Sequence, residues 1–460
     1  MARTAVIGGS VAGLATALLL ARRGHLVTVF EQDRPQVTGD VEADFARVRV
    51  RAPQTVQPHN FLAPVRAVLR TEAPDVFDRM RALGAHETHE FARLPFVPQL
   101  LPGDADLVTT HARRIVLETA LAEAVTRQSG ITMRGGVPVT GLTVRSAALG
   151  VPHVGGVRTA AGEWPADLVV DAAGRRSPVP RWLTASGARA PAVDSQRIDL
   201  MYACRWYRAG VDLPMELPKG SAVPFAQGIV FPGDGRVFAL AVCVPVTDPT
   251  RGALRDEDVF EAVVGSFPTC AAWRALGAEP ISPVHVMAGL DNRWTAYADE
   301  DGPIATGIAG VGDSVTHTNP TLGQGCAQAL LAAQHLADLL DRGDDPHTLA
   351  SGHHRWAAAV LKPWFDHQKK VDARVHAGLS SATVAREDVR FPAAVGACAG
   401  TDVAVLRAKS RVRHLVATPD VAYAEPQARA ALDRWLDENP DPAPSTDGPT
   451  RAEWERLTAV

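Results

Sequence analysis

Lysine is scarce in this 460-residue chain: of 47 basic residues only five are lysine, Lys219, Lys362, Lys369, Lys370 and Lys409, and none precedes position 219. The five cysteines, Cys204, Cys243, Cys270, Cys326 and Cys398, are odd in number, scattered and never spaced C-x-x-C. That spacing excludes a zinc ribbon or a dithiol pair and fits thiols kept reduced in the cytoplasm. No uninterrupted apolar run approaches the roughly 18 residues of a spanning helix, so membrane insertion is not expected. A net charge of −4 and a pI near 6.4 leave no basic footprint for nucleic acid. Arg3 followed by an apolar stretch to Leu20 imitates a secretion signal, but glycines interrupt it and no small-residue cleavage site follows, so a cytoplasmic location is expected. Internal repeats and low-complexity tracts are likewise absent.

What is present is an ordinary globular composition, 46% hydrophobic and 21% charged, in a chain long enough for two domains or one composite fold. The first 31 residues are the most informative. An apolar run, Thr4-Ala5-Val6-Ile7, meets Gly8-Gly9-Ser10-Val11-Ala12-Gly13, an apolar helical segment and then Val27-Thr28-Val29-Phe30-Glu31. This pattern reads as a dinucleotide fold: Gly8 makes the tight turn, Gly13 admits close helix–strand packing, and the N–H groups around Gly9, Ser10 and Ala12 open toward a pyrophosphate. Ser10 stands where a second glycine is usual, and serine is small enough to keep the reading. Glu31, 18 residues after Gly13, places a carboxylate for the two hydroxyls of an adenosine ribose, which favours FAD or NAD over NADP.

The rest of the chain predicts an α/β protein with a Rossmann-type domain that is discontinuous in sequence. Residues 1–190 form its first part, with an inserted substrate-facing segment near 45–103. Residues 191–300 alternate in a way that predicts a mainly antiparallel substrate sheet; 301–345 return to the cofactor domain; and 346–460 form a C-terminal helical region with a Pro-rich linker before a short last helix. Asp171-Ala172-Ala173-Gly174-Arg175-Arg176-Ser177 reads as a buried strand ending in a polar turn, and no second glycine fingerprint offers a separate nicotinamide domain.

A third segment completes the pattern: Gly312-Asp313-Ser314-Val315-Thr316-His317-Thr318-Asn319-Pro320-Thr321-Leu322-Gly323-Gln324-Gly325. With the GGSVAG turn and the Asp171 turn, in that order, the chain resembles the aromatic-hydroxylase-like (group A, GR2-like) FAD-dependent monooxygenases, and within them the bacterial hydroxylases and epoxidases of secondary metabolism, antibiotic biosynthesis included. Arg49-Val50-Arg51-Ala52-Pro53-Gln54, Gln57-Pro58-His59, Met201-Tyr202-Ala203-Cys204-Arg205-Trp206-Tyr207 and Gly448-Pro449-Thr450-Arg451-Ala452-Glu453 add to the resemblance, which spans nearly the whole chain. It implies that Asp313 accepts from the ribityl hydroxyls, that Pro320 stiffens the following loop, and that Gly323, Gln324 and Gly325 open a helix whose N–H groups face the N1–C2=O edge of the isoalloxazine.

Other site residues follow from the same resemblance. Arg114 matches an arginine that approaches the pyrophosphate or ribityl chain, against the alternative of a solvated helical arginine paired with Glu118. Arg49 matches one beside the cofactor, against the alternative of a charged strand face shared with Arg47 and Arg51. His59 is a candidate proton relay, and His317 either approaches the ring or bonds to backbone. Relatives that accept NADPH directly usually carry Asp-Gly where this chain has Ala173-Gly174, with Asp171 two residues earlier. NADPH or NADH therefore either docks on this protein's flavin or feeds a separate flavin reductase.

The implied chemistry is insertion of one oxygen atom from O2 into an apolar or aromatic substrate through a flavin C4a-hydroperoxide in a dry cavity. Trp206, Tyr207, Phe225, Phe231 and Phe238 supply aromatic surface for that substrate or for the core. Halogenases of similar fold need an active-site lysine and a Trp-x-Trp-x-Ile-Pro segment; this chain has no lysine before Lys219 and lacks that segment. The remaining alternatives are an FAD-dependent dehydrogenase or reductase of a prenyl-type or polycyclic substrate and a catalytically silent flavin-binding protein. No metal is expected.

Overall fold

The computed structural model describes the whole chain except residues 35–37, 48, 50, 51, 95, 97, 146–149, 380–385, 443–445 and 460; Val50 and Arg51 thus lie outside the described residues. A parallel sheet gathers strands from four distant parts of the sequence: β1 (Arg3–Ile7), β2 (Leu26–Glu31), β3 (Ile131–Gly135), β4 (Leu168–Asp171) and β5 (Ile308–Gly310). Their order is β5-β4-β1-β2-β3, every pair parallel. β1 and β4 are apolar on both faces because helices or sheet cover both sides. The chain leaves β1 for β2 on one side, and β4 pairs with the other side, so the C-terminal end of β1 is the switch point where open α/β sheets bind ligands.

Three helices matter for that edge: α1 (Val11–Arg22), α2 (Arg114–Arg127) and α3 (Gly325–Asp341). α1 is apolar all round and buried, because it packs between α2 and α3. The other face of the parallel sheet is covered by the antiparallel strands Val139–Arg145, His153–Thr159 and Gly162–Pro165, whose Trp164 meets Phe30 edge-on at 5.7 Å.

The expected antiparallel sheet is present. Its order is Gly220–Val223, Ala226–Pro232, Val237–Pro245, Leu200–Arg208, Glu279–Pro280, with His285–Met287 also paired to Leu200–Arg208. Alternation divides its faces. Met201, Ala203 and Tyr207 pack with Phe238, Leu240 and Phe260 into one core, joined by Trp454 of the terminal helix Arg451–Leu457. Tyr202, Cys204 and Trp206 face the cofactor domain, where Trp206 Nε1 donates to the Val56 carbonyl at 2.8 Å and its ring meets Phe45. Trp206, Tyr207 and Phe238 are therefore core residues, each under 2% exposed.

Toward the C-terminus, Val403–Arg413 and Pro426–Glu438 pack on Phe91, Leu94 and Leu107, pinned by a buried pair between Arg407 and Asp104 at 2.9 Å. Among the described residues no single helix is long and apolar enough to cross a membrane.

Candidate functional site

The first glycine turn owes its shape to sterics. Gly8 has φ +108°, and a Cβ there would lie 2.4 Å from the Ala172 carbonyl oxygen, so the β1 turn sits directly against the β4 turn. A Cβ on Gly13 would lie 1.9 Å from the Gly8 carbonyl oxygen, which is why α1 can start so close to β1. Ser10 is the N-cap at φ −100°, an ordinary conformation for an L-residue, so the usual second glycine is not required by the backbone here. Glu31 is buried at the end of β2, where its carboxylate accepts the Gly9 N–H at 2.7 Å and the Asp33 N–H at 2.8 Å. Ala12 meets the second turn: a Cβ on Gly312 would come within 2.8 Å of the Ala12 Cβ.

The structure brings together residues that lie far apart in the chain. The Ser10 hydroxyl accepts from Arg114 Nη2 at 2.8 Å and donates to Glu118 Oε1 at 3.2 Å; Arg114 Nε reaches the same Glu118 at 2.7 Å; and Arg49 closes the cluster on the other oxygen of Glu118. Burial works against the Arg114 charge, but Glu118 outweighs it and holds the guanidinium above its usual pKa, with Asp313 among the groups that add to the effect. Burial likewise opposes the Glu118 carboxylate, and Arg114 and Arg49 together keep it below the usual range. Arg114 thus makes the i+4 pair with Glu118, yet it is buried rather than solvated. Arg47 and Arg49 lie outside any strand, so the charged strand face does not form across them; Arg47 pairs instead with Asp44 at 3.4 Å.

His59 joins this cluster. Burial and the nearby Arg114 hold its imidazole at about 4, and Nδ1 donates to the Gln57 carbonyl at 2.8 Å, leaving Nε2 as the unprotonated nitrogen. His317 bonds through Nδ1 to the Asp291 carbonyl at 2.6 Å, the backbone alternative. Pro320 is exposed at the start of a short 3-10 turn, Pro320–Leu322. Gly323 follows at φ +67°, Gln324 is the buried N-cap of α3, and Gly325 begins the helix with open space around it. Asp313 sits half-buried in the turn Gly312–Ser314 directly after β5.

These residues fit FAD. Among the described residues no side chain is bonded to the first amides of α1 or α3, and neither helix has an acidic residue in its first turn, so both N-termini present N–H groups and a positive dipole end. The Gln328 Oε1, one turn into α3, is buried without a partner. Glu31 bonds the Gly9 amide and Arg114 bonds Ser10, so both meet at the α1 turn, and Asp313 adds to the charge around Arg114. Among the described residues no group of three or more His, Cys, Asp or Glu is placed to hold a metal.

Asp171 does not supply a surface carboxylate. It is fully buried and accepts from the Ala173 N–H at 3.0 Å, the Ser177 hydroxyl at 2.6 Å and the Tyr297 hydroxyl at 2.6 Å; burial raises its pKa. It ties the β4 turn together, and nothing in the sequence distinguishes that role from a nicotinamide contact.

A second polar network escaped the sequence reading. Asn292, Asn319, Gln368 and Asp372 meet beside the Pro320 loop, fully or almost fully buried. Asn319 belongs to the third glycine-rich segment, but Asp372 lies on the helix Lys362–Leu379 with no local motif to mark it.

This is the fold of the FAD-dependent monooxygenases and halogenases. A description of an NAD(P)-binding Rossmann-like domain matches residues 6–70. The solved structure of PqsL, described as a probable FAD-dependent monooxygenase from Pseudomonas aeruginosa, is 16% identical, with a TM-score of 0.57 over 83% of this chain and 96% of that one. The flavin-dependent brominase Bmp2 is 14% identical, with a TM-score of 0.63 over 95% of this chain and 98% of its own. Protein Rv3254 of Mycobacterium tuberculosis (strain ATCC 25618 / H37Rv) is 32% identical over 186 residues, which is 37% of this chain and 36% of that protein. The match thus spans little more than a third of this curated relative.

Proposed function

We propose that this chain is an FAD-dependent monooxygenase that inserts one oxygen atom from O2, by hydroxylation or epoxidation, into an apolar or aromatic intermediate of secondary metabolism. The observation that carries the reading is the convergence of two uncapped helix N-termini, α1 and α3, with Glu31 and the Arg114 cluster on one sheet edge, where the Asn319–Pro320 loop meets the substrate sheet through Tyr202. FAD, when bound and reduced by a nicotinamide donor, would carry two electrons to O2 and provide the place where O2 is activated.

The chain's own residues do the rest. Ser10 and Ala12 at the α1 N-terminus would hold the pyrophosphate, beside Gly9, whose N–H is taken by Glu31; Glu31 would hold the ribose, and Arg114 and Asp313 the link toward the ring. Arg49 keeps Glu118 ionised and so keeps Arg114 in place. The first amides of α3, from Gly325 onward, face the charge that collects on a reduced ring and stabilise it without a cation. His59, neutral at working pH, accepts a hydrogen bond at Nε2 and adds no positive charge to the cavity. Cys204 and Tyr202 close the floor on the substrate side and keep water out.

Electrons come from NADPH or NADH, directly or through a flavin reductase, and the burial of Asp171 behind Ala173 supports the reductase route. The scarcity of lysine supports oxygenation over halogenation, since Lys219 is bonded to the Met215 and Leu217 carbonyls. The reading places the protein in the cytoplasm, with a small apolar substrate and no nucleic-acid or membrane partner.

The test is stopped-flow mixing of anaerobically reduced, FAD-loaded protein with oxygenated buffer. A transient absorbance distinct from both reduced and oxidised flavin is expected. Monotonic slow reoxidation, unchanged by candidate substrates, turns the reading toward a flavin-dependent dehydrogenase or reductase, or toward a silent flavin binder.

A further inference from the structure

The network beside the Pro320 loop has a direction built into it. The Asp372 carboxylate accepts from Asn319 Nδ2 at 2.7 Å, Asn292 Nδ2 at 2.8 Å and Gln368 Nε2 at 2.9 Å. All three donors are amides, and an amide NH2 can only donate, so Asp372 dictates which way each amide points. With its NH2 held by Asp372, Asn319 turns its Oδ1 toward Tyr202, whose hydroxyl donates to it at 2.7 Å. Asn292, oriented by the same carboxylate, turns its Oδ1 to the Asn319 backbone N–H at 2.7 Å and so grips the loop through its main chain. Gln368 reaches the Thr321 hydroxyl at 3.0 Å on the far side of Pro320. The residues immediately before and after Pro320 are therefore both tied to one helix, Lys362–Leu379.

We propose that Asp372 is the positioning residue of the Asn319–Pro320–Thr321 turn, orienting the loop that leads to the α3 N-terminus and linking it through Asn319 to Tyr202 on the substrate sheet. The proposal rests on the reading of this edge as the flavin site. Its physical basis is cost: Asn292, Asn319 and Gln368 have no measurable exposure, so a misdirected amide would bury its carbonyl oxygen against the Asp372 carboxylate, acceptor against acceptor. With Asp372 as the common acceptor, one orientation of the three amides is favoured over the others. Tyr202 is the member of the network on the Leu200–Arg208 strand, and its hydroxyl is the bond through which a ligand pressing on that strand would reach the Asn319–Pro320 loop.

The experiment compares the wild-type chain with Asp372→Asn, Asp372→Glu and Tyr202→Phe, each saturated with FAD, by visible spectrum, FAD dissociation constant and the reduced-to-oxidised ratio at a fixed redox poise. Asp372→Asn puts an NH2 against an amide donor and is expected to shift the isoalloxazine bands and the reduced-to-oxidised ratio while leaving the dissociation constant little changed, since Glu31 and the α1 turn are untouched. Asp372→Glu keeps the carboxylate and is expected to restore most of the wild-type spectrum. Tyr202→Phe removes one peripheral hydroxyl from a folded protein and is expected to give a smaller shift of the same sign. An unmoved spectrum and ratio in both Asp372→Asn and Tyr202→Phe overturns the proposal, as does an unmoved Tyr202→Phe when Asp372→Asn fails to fold. A wild-type chain that takes up no FAD overturns the reading of the site itself, and this inference with it.

Discussion

At the scale of single residues, two positions carry consequences that the coordinates make quantitative. Gly13 leaves no room for a Cβ, because the atom it would strike is the Gly8 backbone oxygen rather than the end of a flexible side chain. Gly13→Ala is expected to cost about 1–3 kcal/mol or more, the range for forcing an extra carbon into a closed site. It should also weaken FAD binding; urea midpoints and a flavin fluorescence titration check both. Glu118 is the second position. Its carboxylate bonds both Arg114 and Arg49, so Glu118→Gln leaves two guanidinium groups, one of them buried, facing a neutral amide. The expected loss is about 3 kcal/mol or more, as for a buried pair broken on one side. A double change, Arg49→Met with Glu118→Gln, should recover part of it; equal loss in both variants would show that Glu118 acts through packing alone.

At the scale of elements, the α3 N-terminus separates stability from function. Gly325 starts this helix in open space, and no acid stands in the first turn. Gly325→Asp places a carboxylate where it stabilises the helix dipole by about 0.3–1 kcal/mol, so the cofactor-free protein should melt at the same temperature or slightly higher. The same charge opposes the negative charge of a reduced flavin. Reduction of the FAD-loaded variant should therefore become less favourable while the fold becomes no weaker. A variant that loses stability and leaves flavin reduction untouched would remove α3 from the site.

At the scale of the whole molecule, buried imidazoles give the protein an acid-side instability. His59, His335 and His353 are held at about 4 and His111 at about 3, in each case first by burial. In the unfolded chain these groups bind protons near the ordinary value of about 6.5. Below that pH the unfolded state carries protons that the folded state refuses, so stability falls as pH drops from about 6.5 toward 4; above 6.5 both states are neutral and the contribution is constant. Urea midpoints at about pH 7.5, 6 and 5 should decline in that order, and His353→Gln should flatten the decline. A midpoint that stays constant over this range would mean that these histidines are open to water.

Much of the cofactor edge is legible from local chemistry. A strand, a tight glycine turn and an apolar helix are specified within a few residues of one another, because turn conformation and hydrophobic period depend on near neighbours. Gly8, Gly13, Glu31 and the Gly323–Gly325 helix entry are read correctly as local structure for that reason. The buried β4 strand and the antiparallel sheet follow from the same kind of pattern. Ser10 is instructive: the local rule asks for glycine, and only the fold shows an ordinary backbone angle with a hydroxyl engaged by Arg114 and Glu118. What near neighbours cannot encode is which distant side chains share a burial site. Arg49 meets Glu118 across 69 residues, Tyr202 meets Asn319 across 117, and Asp171 turns inward to Tyr297 across 126. These pairings have no period and no motif. They exist because a buried polar group must find a partner somewhere, and only the folded chain decides which one is within reach.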